Sequence, residues 1–215
     1  MKLLSLNVGL PKTYVYQDKE VLTSIFKSSV TGSRSVTNTN IEGDGQGDLV
    51  HHGGEWKAVY SYDISYYAHW KNILHRDDWN YGLFGENLTT EGLTDDKVFI
   101  GNIYKIGTAY LKAIQPRFPC YKLNIRFGKD DMLQQFMQQG KHGTYFSIVQ
   151  EGNLQPGDEI ILAEQSKYNI NIQQLVECYY NKGKDKNLLE QIMSIDFLPE
   201  RLQKAFTSYK NEPST

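Results

Sequence analysis

The stretch from Lys97 to Gln115, KVFIGNIYKIGTAYLKAIQ, leaves the chain few options. It holds three short runs rich in Val, Ile, Tyr and Phe, separated by Gly101-Asn102 and Gly107-Thr108. Strand formers that stop at a glycine pair every few residues read as antiparallel β-structure. A helix needs apolar residues three and four apart over a longer span. The same pattern recurs elsewhere. Residues 2–9 read as a strand, VLTSIFKSSV at 21–30 as another with a bend, and Ala58 to Tyr62 as a third. GTYFSIVQEG and DEIILAE read as two more, joined through the turn pair Pro156-Gly157. So many short strands in the first 163 residues predict a β-rich domain closed into a barrel.

Helices interrupt this pattern at two places. Asp63 is placed to cap a helix over about 64–74, because Tyr66, Tyr67, Trp70, Ile73 and Leu74 recur at helical spacing. DDMLQQFMQQG reads as a second, capped by Asp130 and ended by Gly140. The tail then changes character. Asn171 and Asp185 can each cap a short amphipathic helix, and Pro199 suits the first position of a third that ends near Tyr209. The expectation is a mainly β fold with α: a barrel domain over 1–163, its core about 30–163, followed by a three-helix unit over 164–215. No internal repeat is visible.

Charge and cysteine usage exclude several function classes. A net charge of −2 gives no overall basic field, so neither nucleic acid nor anionic lipid is an expected partner. The opening MKLLSLNVGLPK is broken by Ser5 and Asn7, too short an apolar core for a secretory signal. No run approaches the roughly 20 apolar residues of a membrane span. A cytoplasmic location is expected. Cys120 and Cys178, the only 2 cysteines, read as free thiols in a reducing compartment. Neither CxxC nor HExxH nor four-ligand zinc spacing is present.

Three motifs carry candidate chemistry. In QPRFPCYKL, Pro116 and Pro119 stiffen the chain around Cys120, and Arg117 and Lys122 favour its thiolate. A small buried residue filling a core gap is the competing reading. In HHGGEWK, Gly53 and Gly54 let backbone N–H groups converge on an anion, or simply form a turn that needs positive φ. In LFGENLTTEGL, Glu86 and Asn87 present an acceptor and an amide, or form the polar tip of a turn. Asp95-Asp96 reads as solvated loop charge, His142 as a surface or half-buried residue, and Cys178 as packing. The glycines at 43, 45 and 47 follow no clear strand and open no helix, so they make no dinucleotide fingerprint.

Taken in order, EGDGQ, VHHGG, FGENLTTEGL, IGNIYKIGTAYLKAIQPRFPCYKL and GKHGTYFSIV resemble the MOSC-domain family, named from the C-terminal part of molybdenum cofactor sulfurase. The resemblance is to the YiiM-like subgroup, with a small three-helix domain after a MOSC β-barrel, and it spans essentially the whole chain. It implies binding of the molybdenum cofactor, a pterin dithiolene with a phosphate tail. Cys120 matches the family cysteine proposed as thiolate ligand to molybdenum. Cofactor contacts are implied for Arg117, His52, Gly53, Gly54, Glu86, Asn87, Lys122 and Asn124. The role of the family histidine falls on His52, next to Gly53, and His51 is the extra residue here. If Cys120, Lys122 and Asn124 share a strand, they form one row on one face.

The implied activity is reduction of N-hydroxylated compounds such as N-hydroxylated purine analogues and hydroxylamines, a detoxification. Implied partners are the small substrate and a separate electron-donor reductase, since no flavin, haem or iron–sulfur pattern is visible. A homodimer is compatible with the sequence. The alternative is a carrier of cofactor or sulfur without turnover of its own. A third reading makes the tail helices a binding module, but PERLQKAFTSYK is only mildly cationic.

Overall fold

The computed structural model describes residues 1–47 and 54–211. Eight strands form one sheet: β1 (Lys2–Val8), β4 (Ser28–Val30), β6 (Val59–Asp63), β7 (Leu88–Glu91), β8 (Ile103–Ile106), β9 (Ala109–Pro116), β10 (Thr144–Gln150) and β12 (Ile160–Glu164). Their order is β12-β8-β9-β10-β6-β7-β1-β4. Only β6 and β7 run parallel within it. Two small ribbons complete the β-structure. One pairs β2 (Lys12–Tyr16) with β3 (Lys19–Thr23), and the other β5 (Arg34–Val36) with β11 (Gly152–Leu154).

The expected closed barrel is not what the strand pairing gives. β4 occupies β1 at Leu6–Val8, so only the first residues of β1 can meet the segment before β12. There the link is a single bridge, Lys2 to Glu159, with backbone bonds Leu3 N to Asp158 O (2.9 Å) and Gly157 N to Leu3 O (2.7 Å). The fold is a mixed α/β arrangement around a large sheet, with six α-helices among the described residues.

VLTSIFKSSV is two strands with a break at 24–27, because Ile25 and Lys27 turn inward and are buried there. Of the three runs in 97–115, the first makes only a bridge from Phe99 to Asn171, while the other two pair as the hairpin β8–β9. α1 (Ile64–Lys71) starts where expected, with Asp63 Oδ1 accepting from Ser65 N at 2.9 Å. Its last turn is shorter than the spacing suggests. Cys120 leads into a helix, α2 (Lys122–Phe127), and not a strand. α3 (Met132–Gln139) ends on Gly140 at φ 61, as expected. Its N-cap is Asp131 and not Asp130, which instead accepts from Asn124 Nδ2 through its backbone carbonyl.

The tail forms α4 (Ile172–Tyr180), α5 (Lys186–Met193) and α6 (Glu200–Asn211). Asn171 and Gln174 make a reciprocal capping box, and Asp185 caps α5 through Leu188 N at 3.0 Å. Pro199 sits just before α6, and its carbonyl accepts from Leu202 N and Gln203 N. Leu175, Leu189, Ile192, Leu202 and Phe206 from these helices join the same apolar cluster as Leu3, Leu6, Val59, Leu111 and Phe146. A second cluster gathers Trp70, Tyr62, Phe84 and Phe136 between α1 and α3. The helices therefore bury their apolar faces against the sheet's own core.

Candidate functional site

A solvent-open cleft of about 620 Å³ lies where five segments meet: the break after β3, the glycine-rich loop at 44–47, the start of β6, the FGENL turn and the segment after β9. Cys120 lines it, partly exposed. Lys122 lines it too, although the two are joined through the first turn of α2 and not along a strand. Asn124 does not belong to it. Its amide donates to Asp130 O at 2.6 Å and its Oδ1 accepts from Leu133 N at 2.8 Å, which splices α2 to α3. The expected single row of thiolate, cation and amide is thus broken at Asn124.

Arg117 is 5 % exposed and has no carboxylate partner among the described residues. Its guanidinium lies over the rings of Phe136 (5.2 Å) and Tyr60 (5.6 Å). Burial works against its charge, but Tyr60, Tyr145 and Cys120 more than offset that and hold its pKa above the ordinary value. One donor, Nη1, is buried without a partner. A buried guanidinium N–H left unpaired costs on the order of 1–3 kcal/mol, which an anionic group bound at this point would offset. The backbone of Arg117 is fixed on both sides. Its N–H donates to Gly143 O at 3.1 Å, and its carbonyl lies 3.1 Å from His142 Nδ1.

Lys27, Lys57, Arg117 and Lys122 face one carboxylate, Asp44, in the cleft lining among the described residues. Lys27 Nζ is 2.5 Å from Asp44 Oδ1, and both side chains are buried. Burial pulls the Lys27 pKa down, opposed by Asp44 and Glu86. Asp44 also accepts from Gly9 N at 2.7 Å and from Asn87 Nδ2 at 2.8 Å. Asn87 Oδ1 in turn accepts from Tyr60 N at 3.1 Å. Asn87 is therefore at the cleft wall. Glu86 is not at that wall. It is wholly buried behind it, where it accepts from Tyr67 Oη, Gly82 N (2.8 Å), Phe84 N (3.1 Å) and Thr89 Oγ1 (2.8 Å). Burial raises its pKa. Its work is to fold the FGEN turn.

His52 and Gly53 lie outside the described residues. Gly54 opens the 3-10 turn Glu55–Lys57 at φ 90, exposed, and does not line the cleft. Two sequence readings are corrected. Asp95 is 3 % exposed and not a solvated loop charge, because it accepts from His142 N (2.8 Å) and Gly143 N (3.0 Å). Burial lifts its pKa to about 6. His142 is fully buried, and burial lowers its pKa to about 4. Cys178 packs as expected. Sequence reasoning missed Lys27, Asp44 and Lys57. EGDGQG was the available signal for Asp44, while Lys27 sat inside what read as an ordinary strand.

A fixed guanidinium with an unused N–H suits an anionic phosphate. A partly exposed thiol in the same cleft suits a soft metal. The residues present fit the molybdenum cofactor. No group of three or more His, Cys, Asp or Glu among the described residues could hold a metal ion alone.

Known proteins resemble this chain in sequence and in fold. The chain is 37 % identical over 208 residues to the uncharacterised protein YflK of Bacillus subtilis, covering 97 % of this chain and 94 % of that one. It is 31 % identical over 203 residues to a Gibberella moniliformis protein named "Reductase", covering 88 % of this chain but 36 % of that longer protein. The crystal structure of YiiM from Geobacillus stearothermophilus superposes with a TM-score of 0.81 at 31 % identity, over 97 % of this chain and 98 % of that one. The profile of the MOSC domain matches residues 48–161, and the chain belongs to the MOSC-domain family.

Proposed function

We propose that this protein is a molybdenum-cofactor-dependent reductase of N-hydroxylated compounds, including N-hydroxylated purine analogues and hydroxylamines. The observation that carries the reading is Arg117, buried beside Cys120 with an unpartnered Nη1 in a cation-rich cleft. The name of the fungal relative supports a reductive chemistry.

Cys120 would ligate the molybdenum. Arg117 would hold the anionic part of the cofactor, with Lys122 and Lys57 adding charge at the same wall. Asn87 is locked by Asp44 and Tyr60, so it offers a polar edge that need not reorganise on binding. His52 and Gly53 would add donors to the anionic tail. When bound, the cofactor supplies the two electrons that reduce the N–O bond. Those electrons would reach it from a separate donor protein.

The test is molybdenum and released pterin per chain, for the native protein and Cys120→Ala, both made in a host that synthesises the cofactor. Turnover of hydroxylamine with a chemical reductant is measured on the same samples. Near-stoichiometric metal, its loss in Cys120→Ala and turnover by the native protein are expected. A loaded protein without turnover would make it a carrier of cofactor or sulfur. A protein with neither metal nor pterin would overturn the reading.

A further inference from the structure

The Lys27–Asp44 ion pair adds no net charge to the cleft, yet it is buried and lines the same cleft as Cys120. Asp44 is saturated: Gly9 N and Lys27 Nζ bond Oδ1, and Asn87 Nδ2 bonds Oδ2. Three fixed donors hold that carboxylate in place. Lys27 is the opposite case. An ammonium has three N–H donors, and among the described residues its hydrogen-bond partner is Asp44 alone. The ammonium is thus anchored at one N–H and has further protons available at a cleft wall.

We infer that Lys27, positioned by Asp44, is the general acid that protonates the departing oxygen of the substrate. This rests on the reductase reading above. Reduction of R₂N–OH to R₂NH and water takes two electrons and two protons. The N–O bond breaks, and both electrons come from the reduced cofactor, recharged by the external donor. Lys27 gives one proton to the oxygen, which leaves as water. The nitrogen takes the second from solvent. Lys27 is left as a neutral amine beside Asp44 and regains its proton from solvent before the next cycle. Hydroxide is a poor leaving group, so an acid at this position has a specific task. General acids of this kind contribute on the order of 10²–10⁴ in rate. Burial disfavours the charged lysine, which makes it a more willing donor than an exposed one.

The experiment uses the cofactor-loaded full chain and Lys27→Arg. Arginine keeps the ion pair with Asp44 but does not release its proton. Three readouts are taken: molybdenum and pterin per chain, KM and kcat for hydroxylamine, and kcat for an O-acylated hydroxylamine whose carboxylate leaves without protonation. The expected result is unchanged metal and pterin, KM within about threefold, and kcat for hydroxylamine down about a hundredfold or more. The O-acylated substrate is expected to stay within about threefold of the native rate. Native kcat on hydroxylamine in Lys27→Arg overturns the inference and leaves the reductase reading standing. So does an equal loss on both substrates, or loss of metal, either of which makes Lys27 a structural or cofactor-holding residue. Absence of turnover in the loaded native protein overturns both.

Discussion

Asp44 and Asn87 meet side chain to side chain at 2.8 Å across 43 positions of sequence, and that bond joins the glycine-rich loop to the FGENL turn. Asn87 also receives Tyr60 N and donates to Asn7 O at 3.3 Å, so one amide ties β1, β6 and the cleft loop together. Asn87→Ala leaves a strand N–H and a carboxylate oxygen without partners. The expected cost is about 2 kcal/mol or more, read by urea unfolding. A loss under about 0.5 kcal/mol, the range of an ordinary surface change, would refute this account of the amide.

The Asp95 and His142 shifts pull stability in opposite directions with pH. Asp95 holds its proton up to about 6 when folded against an ordinary 3.8, so its contribution falls as pH rises from about 4 to 6. His142 is neutral down to about 4 when folded against an ordinary 6.5, so its contribution falls as pH drops from 6.5 to 4. Each shift spans about two units, or roughly 3 kcal/mol, and they nearly cancel. Asp95→Asn removes one side. Relative to the native protein it should lose about 3 kcal/mol more on going from pH 6.5 to 4. Parallel stability curves for the two proteins over that window would contradict the assignment.

The two cysteines should separate cleanly by reactivity. Burial, with Asp185 adding to it, pushes the Cys178 thiol up to about 11, and that residue is 3 % exposed. Cys120 is partly exposed in the cleft. Cofactor-free native protein at neutral pH should therefore take a single iodoacetamide adduct, mapped to Cys120 by peptide mass spectrometry. Equal labelling of Cys178 in folded protein would count against the packing described.

Gly143 is expected to be intolerant of any side chain. It sits at φ 70, and a Cβ there would lie 2.3 Å from Ser61 O, backbone that cannot move without parting β6 from β10. Gly143→Ala should cost about 3 kcal/mol or fail to accumulate as folded protein. A melting temperature within a few degrees of native would show that the strands can yield there.

Much of the architecture could be read from residue pattern because it is local. Asn171 and Asp185 cap helices through bonds three residues long, and Gly101 and Gly107 sit in turns at positive φ. What pattern missed is set by distant partners. Cys120 leads into a helix because Asn124 finds its bonds in the segment that starts α3. Asp95 looked solvated because nothing nearby in sequence shows that His142 and Gly143 will donate to it 47 and 48 positions later. The site was half legible in the same sense. Arg117 and Cys120 share one short motif, whereas Lys27 and Asp44 reach the cleft only through the break in the 21–30 run and the loop that follows β5.

The backbone clamp on Arg117 has a thermodynamic consequence. A flexible arginine would lose rotamer freedom and shed its water when an anion arrived. Here both costs fall on folding, since the guanidinium is already dehydrated between Tyr60 and Phe136 and its main chain is pinned by Gly143 and His142. The empty chain is therefore less stable than its contacts allow, and an anion bound there would recover the difference as affinity.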